Sequence, residues 1–163
     1  THPHSRKTSM SEPLWRLGAV ELAARVRARQ VSAREAAVSV LARIAEVNPR
    51  INALPEVMAE EALAAADAAD RALAAGLAPG ALHGVPVTIK VNVDTAGHAT
   101  TDGIVAAKDN LAKVDSPLVA HMRGAGAVSA LIALADPVVA KKLAAFRLKQ
   151  TTTARAMRVP PNT

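Results

Sequence analysis

Cysteine and tyrosine are missing from this chain, and Trp15 and Phe146 are its only aromatic residues. Without cysteine there is no disulfide framework, no thiolate metal site and no cysteine nucleophile, a pattern compatible with the cytoplasm. Without aromatic rings the core must be assembled from Ala, Val, Leu and Ile. That makes it thin, since alanine buries little area and rings usually supply much of a core's stabilisation. Long apolar runs are lacking too. The uncharged stretch 124–135 is too short to cross a bilayer and is closed by Asp136 and Pro137, so no membrane span is expected. Arg6 and Lys7 lead into Ser, Thr, Glu and Pro instead of an apolar stretch, which argues against a secretory signal. Met10 reads as a natural start, and residues 1–13 as a flexible N-terminal extension.

What is present suffices for one domain or a large piece of a bigger one: half of the 163 residues are apolar. The net charge of +6 is unevenly placed. Residues 129–163 hold 6 of the 20 basic residues but 1 of the 14 acidic ones, so the basic character belongs to the last segment. Within it, Asp136 and Pro137 could open a basic amphipathic helix, with Val139, Leu143 and Phe146 near one face and Lys141, Lys142, Arg147 and Lys149 elsewhere. A solvated surface helix is the simpler reading, and no specific nucleic-acid partner is expected. The stretch beyond about Lys149 has few large apolar residues and is expected to be disordered.

Residues 15–29 read as a first amphipathic helix. Ser32 followed by Glu35 has capping-box spacing, and Ala37, Val40, Leu41, Ile44 and Val47 continue as one apolar face, giving a second helix over 32–46 that Asn48 and Pro49 stop. A third helix is predicted over 56–75, with Gly76 as its stop. Val85, Val87, Ile89, Val91 and Val93 then alternate with Pro86, Thr88, Lys90, Asn92 and Asp94, which predicts a strand over 85–94 with one apolar and one polar face. Residues 95–113 read as a polar loop or short-helix region, and Ser116 with Pro117 as the cap and first position of another helix.

Lys90 stands at the centre of the polar face, beside Thr88 and Asn92. Spacing alone leaves two readings open: a solvated lysine on a half-buried strand, or a partly desolvated lysine suited to proton transfer. Other sites are weaker. Gly124 and Gly126 would need a glycine at 129 for a dinucleotide fingerprint, and Ser129 is there. His2, His4, His83, His98 and His121 lack metal-site spacing, and no cofactor or metal is expected.

The segment Val31-Ser32-Ala33-Arg34-Glu35 leading to Leu41-Ala42-Arg43-Ile44 and Asn48-Pro49-Arg50-Ile51-Asn52-Ala53 resembles the opening of amidase-signature enzymes. Leu82-His83-Gly84-Val85-Pro86-Val87-Thr88-Ile89-Lys90-Val91-Asn92-Val93-Asp94, with Ala96-Gly97 and Thr100-Thr101-Asp102-Gly103 after it, is similar to that family's lysine-bearing segment. Asp115-Ser116-Pro117-Leu118-Val119 and Arg123-Gly124-Ala125-Gly126-Ala127-Val128 resemble the helix and strand entry that come next in the family, so the likeness runs over 14–128. It implies an α/β fold, the N-terminal part of the amidase-signature fold with helices packed on an incomplete mixed sheet. It also implies a small-molecule amide substrate, and Lys90 as the catalytic lysine. In the family this lysine takes the proton of a nucleophilic serine through a second, bridging serine, and backbone N–H groups of a Gly- and Ser-rich loop stabilise the oxyanion.

Two departures stand out. Val91 occupies a place where many members carry an acidic residue. After Val128 the chain reads Ser129-Ala130-Leu131-Ile132-Ala133 and continues as a divergent basic tail over 129–163, with no serine in a glycine-rich loop. Ser116 reads as a helix cap, and Ser129 stands where the likeness fails. The expectation is an amidase-lineage hydrolase of carbon–nitrogen bonds, truncated before the catalytic serines and inactive alone. The alternative is a non-catalytic interaction protein or frame-shifted fragment with a basic tail. Neither the choice between stand-alone amidase and amidotransferase subunit nor the oligomeric state is legible in these residues.

Overall fold

The computed structural model describes residues 12–133. The expectations for the N-terminal extension, for the basic helix from Asp136 and for the stretch beyond Lys149 lie outside the described residues. A single 3-10 turn at Leu14–Arg16 precedes helix α1 (Ala19–Arg27), so the first predicted helix is divided. Leu17 and Gly18 are both extended, with ψ of 143° and 152°, and Gly18 becomes the N-cap of α1. Helix α1 ends on Arg29 in the left-handed region, where the Arg29 and Gln30 N–H groups donate back to Val26 and Arg25.

Helix α2 (Ala33–Ile51) starts as predicted. The Glu35 N–H donates to Ser32 Oγ at 3.0 Å and the Ser32 N–H donates to Glu35 Oε2 at 2.7 Å. That reciprocal pair holds the Glu35 carboxyl below its usual range, first through the Ser32 N–H and then through the Ser32 hydroxyl. The predicted stop at Asn48 and Pro49 is not observed, because α2 runs through Pro49 to Ile51. Proline removes one intrahelical bond, and near a C-terminus that loss is small beside what replaces it. Asn52 takes the left-handed conformation and donates its N–H to the Asn48 carbonyl, while the Asn48 side chain bonds the Leu54 carbonyl at 2.9 Å and accepts the Leu54 N–H at 3.0 Å.

The third predicted helix also begins later than expected. Glu56–Val57 forms a short strand β1, and α3 spans Ala59–Ala74. β1 is set by its partner: it pairs antiparallel with strand β3 (Val128–Ala133), Glu56 opposite Ile132 and Val57 opposite Leu131. Strand β2 (Pro86–Lys90) pairs parallel with β3 on the other side, Pro86 opposite Val128 through Lys90 opposite Ala133. Parallel neighbours need a crossover, and the loop after β2 together with helix α4 (Pro117–Gly124) provides it. The departure read after Val128 therefore does not interrupt the local structure. Ser129 to Ala133 continue a strand that is central in the order β1-β3-β2.

The core is alanine-rich, as the shortage of rings requires. Leu22, Ala23 and Val26 of α1, Ala33, Ala36, Ala37 and Ile44 of α2, and Ala62 and Ala66 of α3 close over Val85 and Val128. Small side chains let backbones come close, as at Gly84. It adopts φ +72°, and a Cβ there would lie 2.7 Å from the Ala33 Cβ. A second helix fixes the start of α2: both Asp70 oxygens of α3 accept the Ala33 and Arg34 N–H groups, at 2.7 and 3.1 Å. Replacing Asp70 by Ala leaves the Ala33 N–H of this part-buried contact and the Arg34 N–H without their partner and removes one polar tie between α3 and α2. The expected loss is about 2 kcal/mol of unfolding free energy, measured by chemical denaturation.

Candidate active site

The strand expected over 85–94 is shorter: β2 stops at Lys90, which ends it and does not stand at its centre, because the chain turns there; Lys90 is exposed, and the two expected faces are still found. Ile89 and Val91 turn inward at 3 % and 6 % exposure, Val85 is buried and Val87 and Val93 are half-buried, while Thr88, Lys90 and Asn92 face out. Directly after Lys90 the chain turns, with the Val93 N–H donating to the Lys90 carbonyl at 2.9 Å and the Thr101 N–H to the Val91 carbonyl at 3.2 Å. The Lys90 amine has no hydrogen bond or ion pair among the described residues. Val91 packs on Met58 in a small apolar cluster of its own. The departure at this position thus serves packing against the end of β1.

The loop behind Lys90 is tied by two carboxylates. Asp94 accepts the Thr100 hydroxyl at 2.5 Å through its side chain and the Ser116 N–H at 2.9 Å through its carbonyl. Asp115 accepts the Ala96 N–H at 2.8 Å and pairs with Arg123 of α4 at 2.8 Å. Ser116 caps α4, its Oγ accepting the Val119 N–H at 3.4 Å, and so has the structural role expected of it. Ser129 lies opposite Val87, three residues before Lys90 along the ladder, which at about 3.3 Å per residue is about 10 Å away. Neither serine reaches Lys90. No group of His, Asp and Glu that could hold a metal occurs among the described residues, and His83 instead places Nε2 3.0 Å from the Ala69 carbonyl.

One cluster has no signal in the sequence. The buried ring of His98 sits between Glu56 of β1 and Glu61 of α3, with Nδ1 2.8 Å from one carboxylate and Nε2 3.2 Å from the other. The partners are 42 and 37 positions away, a separation that only the fold closes.

A family model described as Amidase matches residues 35–131, more than half of the chain. The chain belongs to the amidase-signature family. The chain is 45 % identical over 116 residues to the indoleacetamide hydrolase of Bradyrhizobium diazoefficiens, covering 71 % of the chain and 22 % of that protein. It is 44 % identical over 115 residues to a glutamyl-tRNA(Gln) amidotransferase subunit from Acidothermus cellulolyticus, covering 71 % of the chain and 23 % of that protein. Among solved structures, the peptide amidase of Stenotrophomonas maltophilia superposes with a TM-score of 0.68 at 31 % identity, over 74 % of the chain and 25 % of the peptide amidase. A fatty acid amide hydrolase shares the fold, with a TM-score of 0.70 at 24 % identity over 74 % of the chain and 21 % of that hydrolase. The chain spans about a quarter of the length of the relatives it matches. Its α/β architecture with an incomplete sheet is that of the N-terminal portion of these hydrolases. Among the described residues no helix is long and apolar enough to cross a membrane.

Ser129 also carries a stability prediction. With residues of α3, His83 and Arg123 it lines a groove of about 530 Å³, and its buried Oγ has no hydrogen-bond partner among the described residues. An unsatisfied buried hydroxyl is costly, so Ser129→Ala is expected to raise the unfolding free energy by about 1 kcal/mol in denaturant titration.

Proposed function

We infer that this chain is the lysine-bearing part of a hydrolase of amide carbon–nitrogen bonds, with Lys90 as its proton-handling residue. The observation that supports the reading is the setting of Lys90: it ends a strand whose other face is buried, and its side chain is exposed where the chain turns. A lysine so placed is open to a hydroxyl brought to it from outside the described residues. Its task there would be to accept the nucleophile's proton through a bridging hydroxyl and later return one to the departing amine. The substrate class is a small-molecule amide, and indoleacetamide is the first compound to assay because the relative at 45 % identity is named for it.

Proton transfer needs contact of about 2.6–3.2 Å, and neither Ser116 nor Ser129 provides it. Among the described residues Lys90 therefore stands without a serine in reach. The purified chain is expected to show no hydrolysis above background of indoleacetamide, of small aryl and alkyl amides or of glutamine, and Lys90→Ala is expected to leave that result unchanged. A lysine alone could give general-base help on the order of 10²-fold at most, and only when well positioned. Turnover that disappears in Lys90→Ala would contradict this account and direct attention to Ser116 and Ser129.

A further inference from the structure

The loop that follows Lys90 has to pass the C-terminal end of β3 to reach β1. Glu56, Ile132 and Ile89 are paired in one row across the three strands, which puts Glu56 two strand spacings, about 10 Å, from β2. Two contacts hold the loop on that far side. Val91 meets Met58, and His98 meets Glu56 and Glu61. The backbone of His98 is fixed as well, its N–H donating to the Thr95 carbonyl at 3.0 Å and its carbonyl accepting the Ala112 N–H at 2.9 Å.

The two ring contacts together constrain the proton count. A neutral imidazole has one N–H and one lone pair, and a carboxylate oxygen can accept from the first but is repelled by the second. Nδ1 at 2.8 Å and Nε2 at 3.2 Å from two carboxylates are both hydrogen bonds only when both nitrogens are protonated. We propose that His98 is a protonation-dependent clasp: as imidazolium it fastens the loop between β2 and α4 to β1 through Glu56 and to α3 through Glu61, and on deprotonation it must release one of them. The clasp is independent of any role of Lys90 in amide hydrolysis.

The sign of the pH effect follows from the groups around the ring. Burial disfavours the charged form, but the hydrogen bonds and charges of Glu56 and Glu61 outweigh it and raise the pKa of His98 above the ordinary 6.5. A raised folded-state pKa means that the stabilisation is complete below about pH 6.5 and is lost as pH rises through the raised value. Both carboxylates are about half exposed, at 45 % and 57 %, so salt weakens the clasp.

The test is an NMR titration of the full chain from about pH 5 to about pH 9, the range in which histidine changes charge. It follows the ring nitrogens of His98 and the amide exchange of residues 95–112, corrected for intrinsic base catalysis. The expected result is a His98 midpoint above 6.5 and, through the same midpoint, a loss of loop protection of about fivefold. In the double variant Glu56→Gln, Glu61→Gln the midpoint should fall, and in His98→Gln the pH dependence of loop protection should vanish. A ring that titrates at or below the ordinary value in the unaltered chain, or loop exchange that follows intrinsic catalysis alone, would overturn the proposal without recourse to any variant.

Discussion

The arrangement depends on β3. A strand such as β2 has one buried face but gains its backbone hydrogen bonds only from a neighbour, and among the described residues that neighbour is β3. The same strand gives β1 its partner, so β3 sets where Lys90 ends, where Glu56 begins and how far the loop between them must reach. The residues leading into β3 are joined to those leading into β2 by backbone bonds: Leu82 donates to Ala125, Gly84 to Gly126 and Val128 to Val85, each at 2.9 Å. Gly126 permits this at φ +87°, where a Cβ would sit 2.9 Å from the Cα of His83.

Around that sheet the helices are held as much by polar ends as by their thin core. Alanine faces bury little area each, so capping carries more of the specification than in an aromatic-rich core. Ser32 and Asp70 both secure the start of α2, and Asn48 secures its end. On the opposite surface Trp15, one of two aromatic residues in the chain, is flanked by the guanidinium groups of Arg43 and Arg16 at 4.6 and 5.4 Å and stays 38 % exposed. It braces the N-terminal turn against α2 and does not enter the core.

What the sequence disclosed was local chemistry with a fixed period or offset. The alternation around Lys90, the Ser32–Glu35 box and the Ser116–Pro117 start each depend on residues within a few positions; the box and the helix start are found where expected, and the alternating faces hold although the strand itself stops at Lys90. What stayed hidden depends on partners far along the chain. Glu56 and Val57 look helical beside the run after them and become a strand because Ile132 and Leu131 lie alongside. Pro49 continues its helix because Asn48 and Leu54 close the end. The strand through Ser129 was obscured by a change in composition, although its backbone partner β2 was already legible. His98 lacks metal-ligand spacing in the sequence, and its ring serves two carboxylates brought in by β1 and α3.

The central claim is that residues 12–133 by themselves build the strand frame that carries Lys90. Native-state hydrogen exchange of the purified chain, read at residues 86–90 and 128–133, tests it most directly. The account predicts that the paired amides of these two segments are protected together and lose protection together as denaturant is added, since each ladder exists only while the other strand is in place. Exchange of residues 86–90 at the rate of an unstructured peptide, with α2 and α3 still protected, would contradict it.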